Sequence, residues 1–417
     1  MVINTLQYRF ARPEEIPAVA RMVAHSFPGA ARSREWWHEQ LADPVYGGGH
    51  DTLLTGWKDD RVVAALQLHP VRQWIGGKLL PVAAVGTVSI APTHRKQGLA
   101  ADLMTAALRA AHDRGDVGSS LYPFRSSFYQ KLGYGQSGEA LQYQIAPSLL
   151  PDSDERMSVE LIDTDEGRAE VLSYYGAWAR EQTGQLERTT RLWTHLADAA
   201  DHALVGYRPS PGAPLEGYAL VAYRPDLPRA ERYIEVEELV WTTPGARRGL
   251  YGWLASLADQ WDRVVIRALP SHRLGDWIRE VRLPVLGVPL WGLWRPGAAL
   301  MMGTMFRLVN AEAAFEDRPA AGSVSVGLEV VDDQLSSNAG SWRLLCDGGR
   351  ASLTRTGASS VDATLRLDVS TLSRLFVSSL KATDALTAGL LECDNASVLP
   401  QLDAALALPE PWTFDRF

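Results

Sequence analysis

Residues 85–104 read V-G-T-V-S-I-A-P-T-H-R-K-Q-G-L-A-A-D-L-M. Val85 to Ile90 is a β-branched, apolar run that Pro92 ends, because proline donates no ladder hydrogen bond. A short basic loop follows, and from Gly98 the apolar residues recur at helical spacing. The stretch predicts strand, loop and helix in succession. Within the loop, Arg95-x-x-Gly98-x-Ala100 puts small residues where the helix begins. The first amides of a helix have no partner inside it, the helix dipole adds partial positive charge, and Arg95 and Lys96 add full charges. Such a turn suits a pyrophosphate, and the first inference is a diphosphate-bearing cofactor.

Two other phosphate-binding loops are excluded by spacing. The chain has no Gly-x-x-x-x-Gly-Lys-Ser/Thr loop, and no Gly-x-Gly-x-x-Gly near its start with an acid about 20 residues on. The Arg-x-x-Gly-x-Ala turn after a Pro-terminated strand resembles the acetyl-CoA loop of GCN5-related N-acetyltransferases. The alternative is an ordinary strand-to-helix turn whose small residues serve packing.

Outward from this stretch, 417 residues predict two or three domains of about 100–200 residues each. A hydrophobic content of 46% with 22% charged residues supplies ample core for a globular chain. With 41 basic against 49 acidic residues the net charge is −8, which argues against nucleic acid as the main partner and mildly favours cationic substrates. Cys346 and Cys393 lie far apart with no Cys-x-x-Cys, so neither a disulfide scaffold nor a zinc site is indicated. The first ten residues lack a basic segment followed by an apolar one, and no run of about 18 apolar residues occurs later. The expectation is a soluble cytoplasmic protein with no membrane partner.

In chain order, Leu6 to Phe10 alternates as a short strand, and Pro13, Glu14 and Glu15 suit the first turn of a helix carrying Ile16, Val19, Ala20 and Val23 on one face. A second short helix is expected over Ser33 to Leu41. Leu53 to Trp57 and Val62 to Leu68 read as a hairpin around Asp59-Asp60, and Gly76-Gly77 marks another turn before the long strand that ends at Ile90. After the Gly98–His112 helix, a strand over Ser119 to Phe124 leads into S-S-F-Y-Q-K-L-G-Y-G. The last string resembles the F-Y-x-K-x-G-[YF] element of the same acetyltransferases. There the strand splays from its neighbour to admit the cofactor's pantetheine arm, and the tyrosine at the Tyr129 position serves as general acid. The chemistry needs a base to deprotonate the amine, a donor to the oxyanion and an acid for the leaving thiolate, but no metal. Tyr134 is the alternative acid, or a packing residue.

A polar, Pro-containing joint near residue 147 opens a second region. Its run R-Y-I-E-V-E-E-L-V-W-T-T-P-G-A-R-R-G-L-Y-G-W-L repeats strand, Pro244, a small-residue and Arg loop over Gly245 to Gly249, and helix, which predicts an internal duplication. Neither the Arg-x-x-Gly-x-Ala spacing nor the F-Y-x-K-x-G string recurs, so this copy is expected to have lost its cofactor. From about Leu300 onward, strands including M-M-G-T-M-F-R-L-V-N precede helices, an order that resembles a sterol-carrier-protein-like domain.

The fold class expected is thus α/β with mixed sheets: an acetyltransferase-like domain over residues 1–146, a degenerate second over 147–300 and a sterol-carrier-like α+β domain over 301–417. Together they resemble the Eis (enhanced intracellular survival) family of bacterial N-acetyltransferases. The resemblance implies acetyl-CoA as co-substrate, acetylation of amines such as aminoglycosides and lysine side chains, and a homohexamer. It also implies that the carboxylate of the last residue, here Phe417, is the general base beside Tyr129. Carried over residue by residue, the cofactor contacts are Val88, Ser89 and Ile90 for the pantetheine, Lys96, Gln97, Gly98, Leu99, Ala100 and Ala101 with Arg95 for the pyrophosphate, and Phe124 with Arg125 beyond the next strand. Phe27, Trp36 and Trp37 serve either as an aromatic wall for the amine or as core residues. The rival reading is a lipid or sterol carrier whose first domain is vestigial.

Overall fold

The computed structural model describes residues 6–27, 32–197, 201–225, 227, 231–272, 274–279, 298–355 and 361–417. The chain forms two units: Met1–Gly138, Arg180–Glu187 and Gly303–Phe417 in the first, Glu139–Ala179 and Arg188–Met302 in the second. Strands and helices are numbered along the whole chain.

The first unit holds two sheets. One comprises β1 (Gln7–Phe10), β2 (Leu53–Lys58), β3 (Arg61–Ile75), β4 (Lys78–Ile90), β5 (Gly118–Leu121), β6 (Gly135–Gln136) and β14 (Met305–Leu308), in the order β1-β2-β3-β4-β5-β14-β6. Two tight turns set the register of its long hairpins: Asp59-Asp60 between β2 and β3, and Gly76-Gly77 between β3 and β4, each with both residues at positive φ, as a primed turn requires. Only β4 and β5 pair in parallel, joined by helix α3 (Leu99–Arg114).

Alternation along β4 sends its side chains to opposite faces. Ala83 and Val85 pack with Leu103, Met104, Ala107, Leu108 and Ala111 of α3, a set at the three- and four-residue spacing of one helix face. Val82 and Ala84 join a different cluster, shared with residues beyond 300. Helices α1 (Ile16–Ser26) and α2 (Arg34–Ala42) pack with Leu53 and Ala65.

The other sheet of this unit runs β15-β18-β17-β16-β19-β20, from β15 (Arg318–Pro319), β16 (Val324–Val331), β17 (Gly340–Asp347), β18 (Arg350–Arg355), β19 (Ala363–Asp368) and β20 (Leu391–Cys393). Its inward residues Val326, Leu328, Leu344, Leu353 and Leu365 pack against Leu372 and Phe376 of α9 (Val369–Phe376) and Leu399 and Leu402 of α11 (Leu399–Leu406).

The run M-M-G-T-M-F-R-L-V-N was expected to be a strand of the third region. The structure divides it at Gly303: β13 (Ala299–Met302) belongs to the second unit's sheet, and β14 lies between β5 and β6 of the first. A hydrogen bond from the Gly303 amide to the Gly138 carbonyl (2.8 Å) marks the divide. The third-region sequence thus completes the first sheet.

Buried Arg307 of β14 fixes that insertion. Its guanidinium donates to Asp332 Oδ1 (2.6 Å) and to the carbonyls of Leu132 (2.7 Å) and Leu308 (2.8 Å), with both side chains of the ion pair fully buried. Removing one partner of a buried pair leaves the other charge desolvated and uncompensated. Asp332→Ala is therefore expected to lower stability by about 3–5 kcal/mol, measured by urea unfolding of the full chain.

The second unit is one sheet in the order β13-β7-β12-β11-β10-β9-β8: β7 (Glu139–Ile145), β8 (Val159–Leu161), β9 (His202–Tyr207), β10 (Gly217–Arg224), β11 (Tyr233–Trp241), β12 (Val264–Ala268) and β13, with helices α5 (Asp165–Arg180), α6 (Thr190–Ala197) and α7 (Pro244–Ser256). It repeats the plan of the first sheet, with β11 and β12 parallel and joined through α7.

Candidate active site

The site begins where two parallel strands part. β4 pairs with β5 from Val82↔Gly118 to Val85↔Leu121; β5 then ends, while β4 continues to Ile90. Val88, Ser89 and Ile90 therefore have β3 on one side and no strand on the other. The parting coincides with a bulge: Ala65 pairs with Ser89 and Gln67 with Gly86, so Thr87 and Val88 together oppose Leu66. Thr87 sits at φ +55°, an uncommon conformation for a β-branched residue. Its hydroxyl donates to Gln67 Oε1 (2.7 Å), which helps to hold the strained turn.

Beyond Ile90 the chain bends at Pro92 and enters the basic loop. Lys96 at φ +60° and Gly98 at φ +86° are both left-handed, and Gly98 caps α3. A side-chain carbon added at Gly98 meets no atom within 4 Å, so the approach to the helix N-terminus is open. Lys96, Gln97 and Gly98 are exposed, and Leu99, Ala100 and Ala101 half-buried. Arg95 Nη2 donates to the Ser26 carbonyl (3.1 Å), so that side chain also braces the end of α1 against the loop.

Tyr129 lies on α4 (Ser126–Gln130) and is 2% exposed. Its ring packs edge-on to Phe128 (5.0 Å), Phe124 (5.7 Å) and Tyr134 (6.0 Å), in the cluster that holds α3. Its hydroxyl makes no hydrogen bond to any described residue, and burial holds the phenol well above its ordinary pKa. Tyr134 differs. Its hydroxyl is engaged with Ser119 Oγ at 2.7 Å, and burial pushes its pKa up to about 12, so this ring is tied into the core.

The opposite face of the sheet receives the chain's end. Trp412 donates to the Thr183 carbonyl (2.9 Å), Gln185 Nε2 donates to the Trp412 carbonyl (3.0 Å), Tyr122 donates to the Asp415 carbonyl (2.9 Å), and the Tyr46 hydroxyl donates to the Arg416 carbonyl. The Phe417 ring packs near Tyr122 (5.6 Å) and Tyr46 (6.1 Å). Its main-chain carbonyl carbon stands 3.2 Å from where a side chain on Gly86 would begin. Gly86 is thus small because the terminus lies on it. The aromatic end E-P-W-T-F-D-R-F marked the tail itself as an anchor, but its partners Thr183, Gln185, Tyr122 and Tyr46 were not singled out from sequence; a glycine inside a β-branched strand was the one signal for a bulge or close approach there.

The remaining candidates divide. Phe124 is 74% exposed, an apolar ring left at the mouth of the gap, and Arg125 is exposed beside it. Trp37 is buried among Val19, Val23 and Leu41, stacked on Phe27 (5.5 Å) and edge-on to Trp36 (4.9 Å). Phe27 is 37% exposed. Trp36 carries Arg32 over its ring at 3.8 Å, so the chain's own guanidinium occupies a face suited to a cation.

In the second unit the same plan is filled in. β11 leaves β12 after Val236↔Ile266, with the β10–β11 register slipping between Leu220 and Val221. The expected loop over Gly245 to Gly249 is helix instead: α7 begins at Pro244, and the Thr243 side chain accepts from the Ala246 amide. Thr243 Oγ1 also donates to Glu216 Oε2 (2.6 Å), so a carboxylate lies beside the helix cap, and a carbon added at Gly245 would lie 3.0 Å from the Tyr207 hydroxyl. Beside the parting strands, Arg188 pairs with Glu238 (2.6 and 3.1 Å) and lies 4.0 Å from the Tyr175 ring centre.

Comparison with known proteins adds to this geometry. Residues 7–137 and 184–308 each match a family model described as an acetyltransferase (GNAT) domain, and residues 311–414 one described as a sterol carrier protein domain. The chain is 28% identical over 353 residues to the N-acetyltransferase Eis of Mycobacterium tuberculosis, covering 81% of this chain and 80% of that protein. Its fold is similar to a GCN5-related N-acetyltransferase from Anabaena variabilis (TM-score 0.83, 21% identity, 99% of this chain and 100% of the other). It is also similar to Eis1 from Mycobacterium abscessus (TM-score 0.77, 20% identity, 99% and 100%).

Proposed function

We propose, from the premise that the chain belongs to the GNAT N-acetyltransferases and is a homologue of Eis, that its first unit transfers acetyl from acetyl-CoA directly to an amine. The acceptors are aminoglycoside-type or lysine side-chain amino groups, and the working form is a cytoplasmic homohexamer. One observation carries the reading. At Gly86, β4 loses its neighbour; the terminal carboxylate lies on one face of the strand, and Tyr129 packs with the side chains of the other.

GNAT enzymes use acetyl-CoA, and the residues present fit it. The open amides of the Lys96–Ala101 turn suit its pyrophosphate, the free edge of Val88, Ser89 and Ile90 suits the amides of its pantetheine arm, and Phe124 is an uncovered apolar surface for that arm. When bound it supplies the activated acetyl group. The Phe417 carboxylate takes a proton from the acceptor ammonium, the Val88 amide donates to the acyl oxygen, and the Tyr129 hydroxyl is the general acid facing the departing sulfur. Residues 1–146 and the C-terminal carboxylate of residues 301–417 thus make one site, while residues 147–300 bind no cofactor, their equivalent turn being capped by Thr243 and Glu216. The carrier alternative draws on the third region alone, whose apolar side chains are packed against its own helices and against Val82 and Ala84 of β4.

The test is thiol release from acetyl-CoA with a panel of amines, alongside calorimetry. One acetyl-CoA per chain and amine-dependent thiol release are expected; no release with any amine would defeat the reading. Gly98→Ala adds a side chain that touches nothing but must hold a left-handed backbone, a cost of about 1–2 kcal/mol. Acetyl-CoA affinity is expected to fall roughly tenfold, read in the same calorimeter.

A further inference from the structure

His69 lies beside the terminus and has no part in the reading above. It sits on β3 opposite Ala84, so it shares the face of the sheet on which the tail lies. It is 3% exposed. Its Nε2 is 3.7 Å from the point at Gly86 that is 3.2 Å from the Phe417 main-chain carbonyl carbon, and both groups thus converge on one spot at the parting of β4 and β5. Its Nδ1 has no hydrogen-bond partner among the described residues. A buried polar ring turned toward a reactive group, with a nitrogen unused, is costly unless it has work to do.

The groups around the ring are few. Tyr46, from the segment after α2, packs against it at 5.5 Å. Arg114, at the end of α3, donates to the Leu68 carbonyl (3.1 Å) and pairs with Asp116 (2.8 Å), and its charge disfavours protonation of the imidazole. Burial is the main cause lowering the pKa from 6.5 to about 4, the Arg114 charge adds to it, and the Gly47 backbone acts in the opposite sense. The ring is neutral at pH 7 and can accept a proton. The carboxylate of Phe417 is the acidic group that would welcome it there.

We propose that His69 is the second station for the proton taken from the acceptor amine, receiving it at Nε2 from the terminal carboxyl group of Phe417. This rests on the function proposed above and deepens it. The balance is simple. The ammonium N–H bond breaks as a carboxylate oxygen takes the proton; the resulting O–H breaks as a bridging water takes that proton and passes one of its own to the Nε2 lone pair. The carboxylate is restored, now beside an imidazolium, and the free amine keeps the electron pair with which it attacks. The imidazolium gives its proton to water after product leaves. His69 is thus a positioning residue that acts through Phe417.

The test follows the His69 imidazole by NMR pH titration in the full chain with ring-labelled histidine, its signal assigned from His69→Gln. The intact chain is compared with one whose Phe417 carboxylate is replaced by an amide. Removing the carboxylate is expected to lower the His69 pKa by half a unit or more, and superimposable curves would overturn the proposal. In parallel, His69→Gln is expected to lower kcat about tenfold with an aminoglycoside and with a lysine peptide. It should displace the acidic limb of kcat/KM while the KM for acetyl-CoA stays within twofold. An unchanged pH profile would likewise overturn it. An intact chain that releases no thiol defeats the proposed function instead, an outcome the titration does not depend on.

Discussion

A chain ending at Arg416, which moves the terminal carboxylate back by one residue, or one whose final carboxylate is replaced by an amide, is expected to bind acetyl-CoA as the intact protein does and to turn over at least about a hundredfold more slowly, the usual scale for loss of a general base. The two halves of that expectation have separate structural causes. The turn proposed for the cofactor lies at Lys96–Ala101, whereas the terminus lies against Gly86, on the face opposite α3. Nor should the tail come loose, because Tyr122 and Tyr46 hold the carbonyls of Asp415 and Arg416 rather than Phe417 itself. The amide is the cleaner probe, since it keeps the ring against Tyr46 and Tyr122 and removes only the charge and basicity. Turnover by the amidated chain at the intact rate would exclude the terminus as base.

Tyr129→Phe is the second large effect. Its phenol is raised in pKa by burial, while a thiol has an ordinary pKa of about 8.5. Complete transfer of the proton to a departing thiolate is therefore uphill in this environment. Its leverage lies in a hydrogen bond to charge gathering on sulfur. Such a bond to a charged group is worth about 1.5–3 kcal/mol, so kcat should fall roughly 10–150-fold with acetyl-CoA affinity unchanged. The sign of the pH dependence follows. A tyrosine with a raised pKa keeps its proton as pH rises, and loses it only above the ordinary phenol value near 10. No basic limb from this residue should appear in kcat below about pH 10; a limb near neutrality that vanished in Tyr129→Phe would contradict the assignment.

Much of the first sheet was legible because its signals are local. The Asp59-Asp60 and Gly76-Gly77 turns, the proline after Ile90 and the periodic face of α3 each declare themselves within a few residues. The left-handed turn that opens α3 was legible for the same reason. Sequence alone did not show what depends on distant chain meeting at one place. Gly86 reads as an ordinary strand glycine until Phe417 is found upon it, His69 as one histidine among nine, and Gln185 as a residue of the second region rather than an anchor for Trp412. The second unit shows the complementary failure. Gly245 to Gly249 has the composition of an open loop, but Thr243 supplies a cap, and Pro244 fits the first helical position, where its missing N–H costs nothing. The local choice of cap decided between an anion site and a plain helix start.

The insertion of β14 between β5 and β6 has a consequence for how the protein is made. During synthesis the ribosome delivers every residue up to Gln136 long before Met305 to Leu308 emerge, so the growing chain must wait with the edge of β5 bare. Bare edges are where chains stick to one another. Fragments cut at the end of the first domain's sequence should accordingly be prone to aggregate, and a peptide supplying residues 303–310 in trans is the natural means of rescuing them.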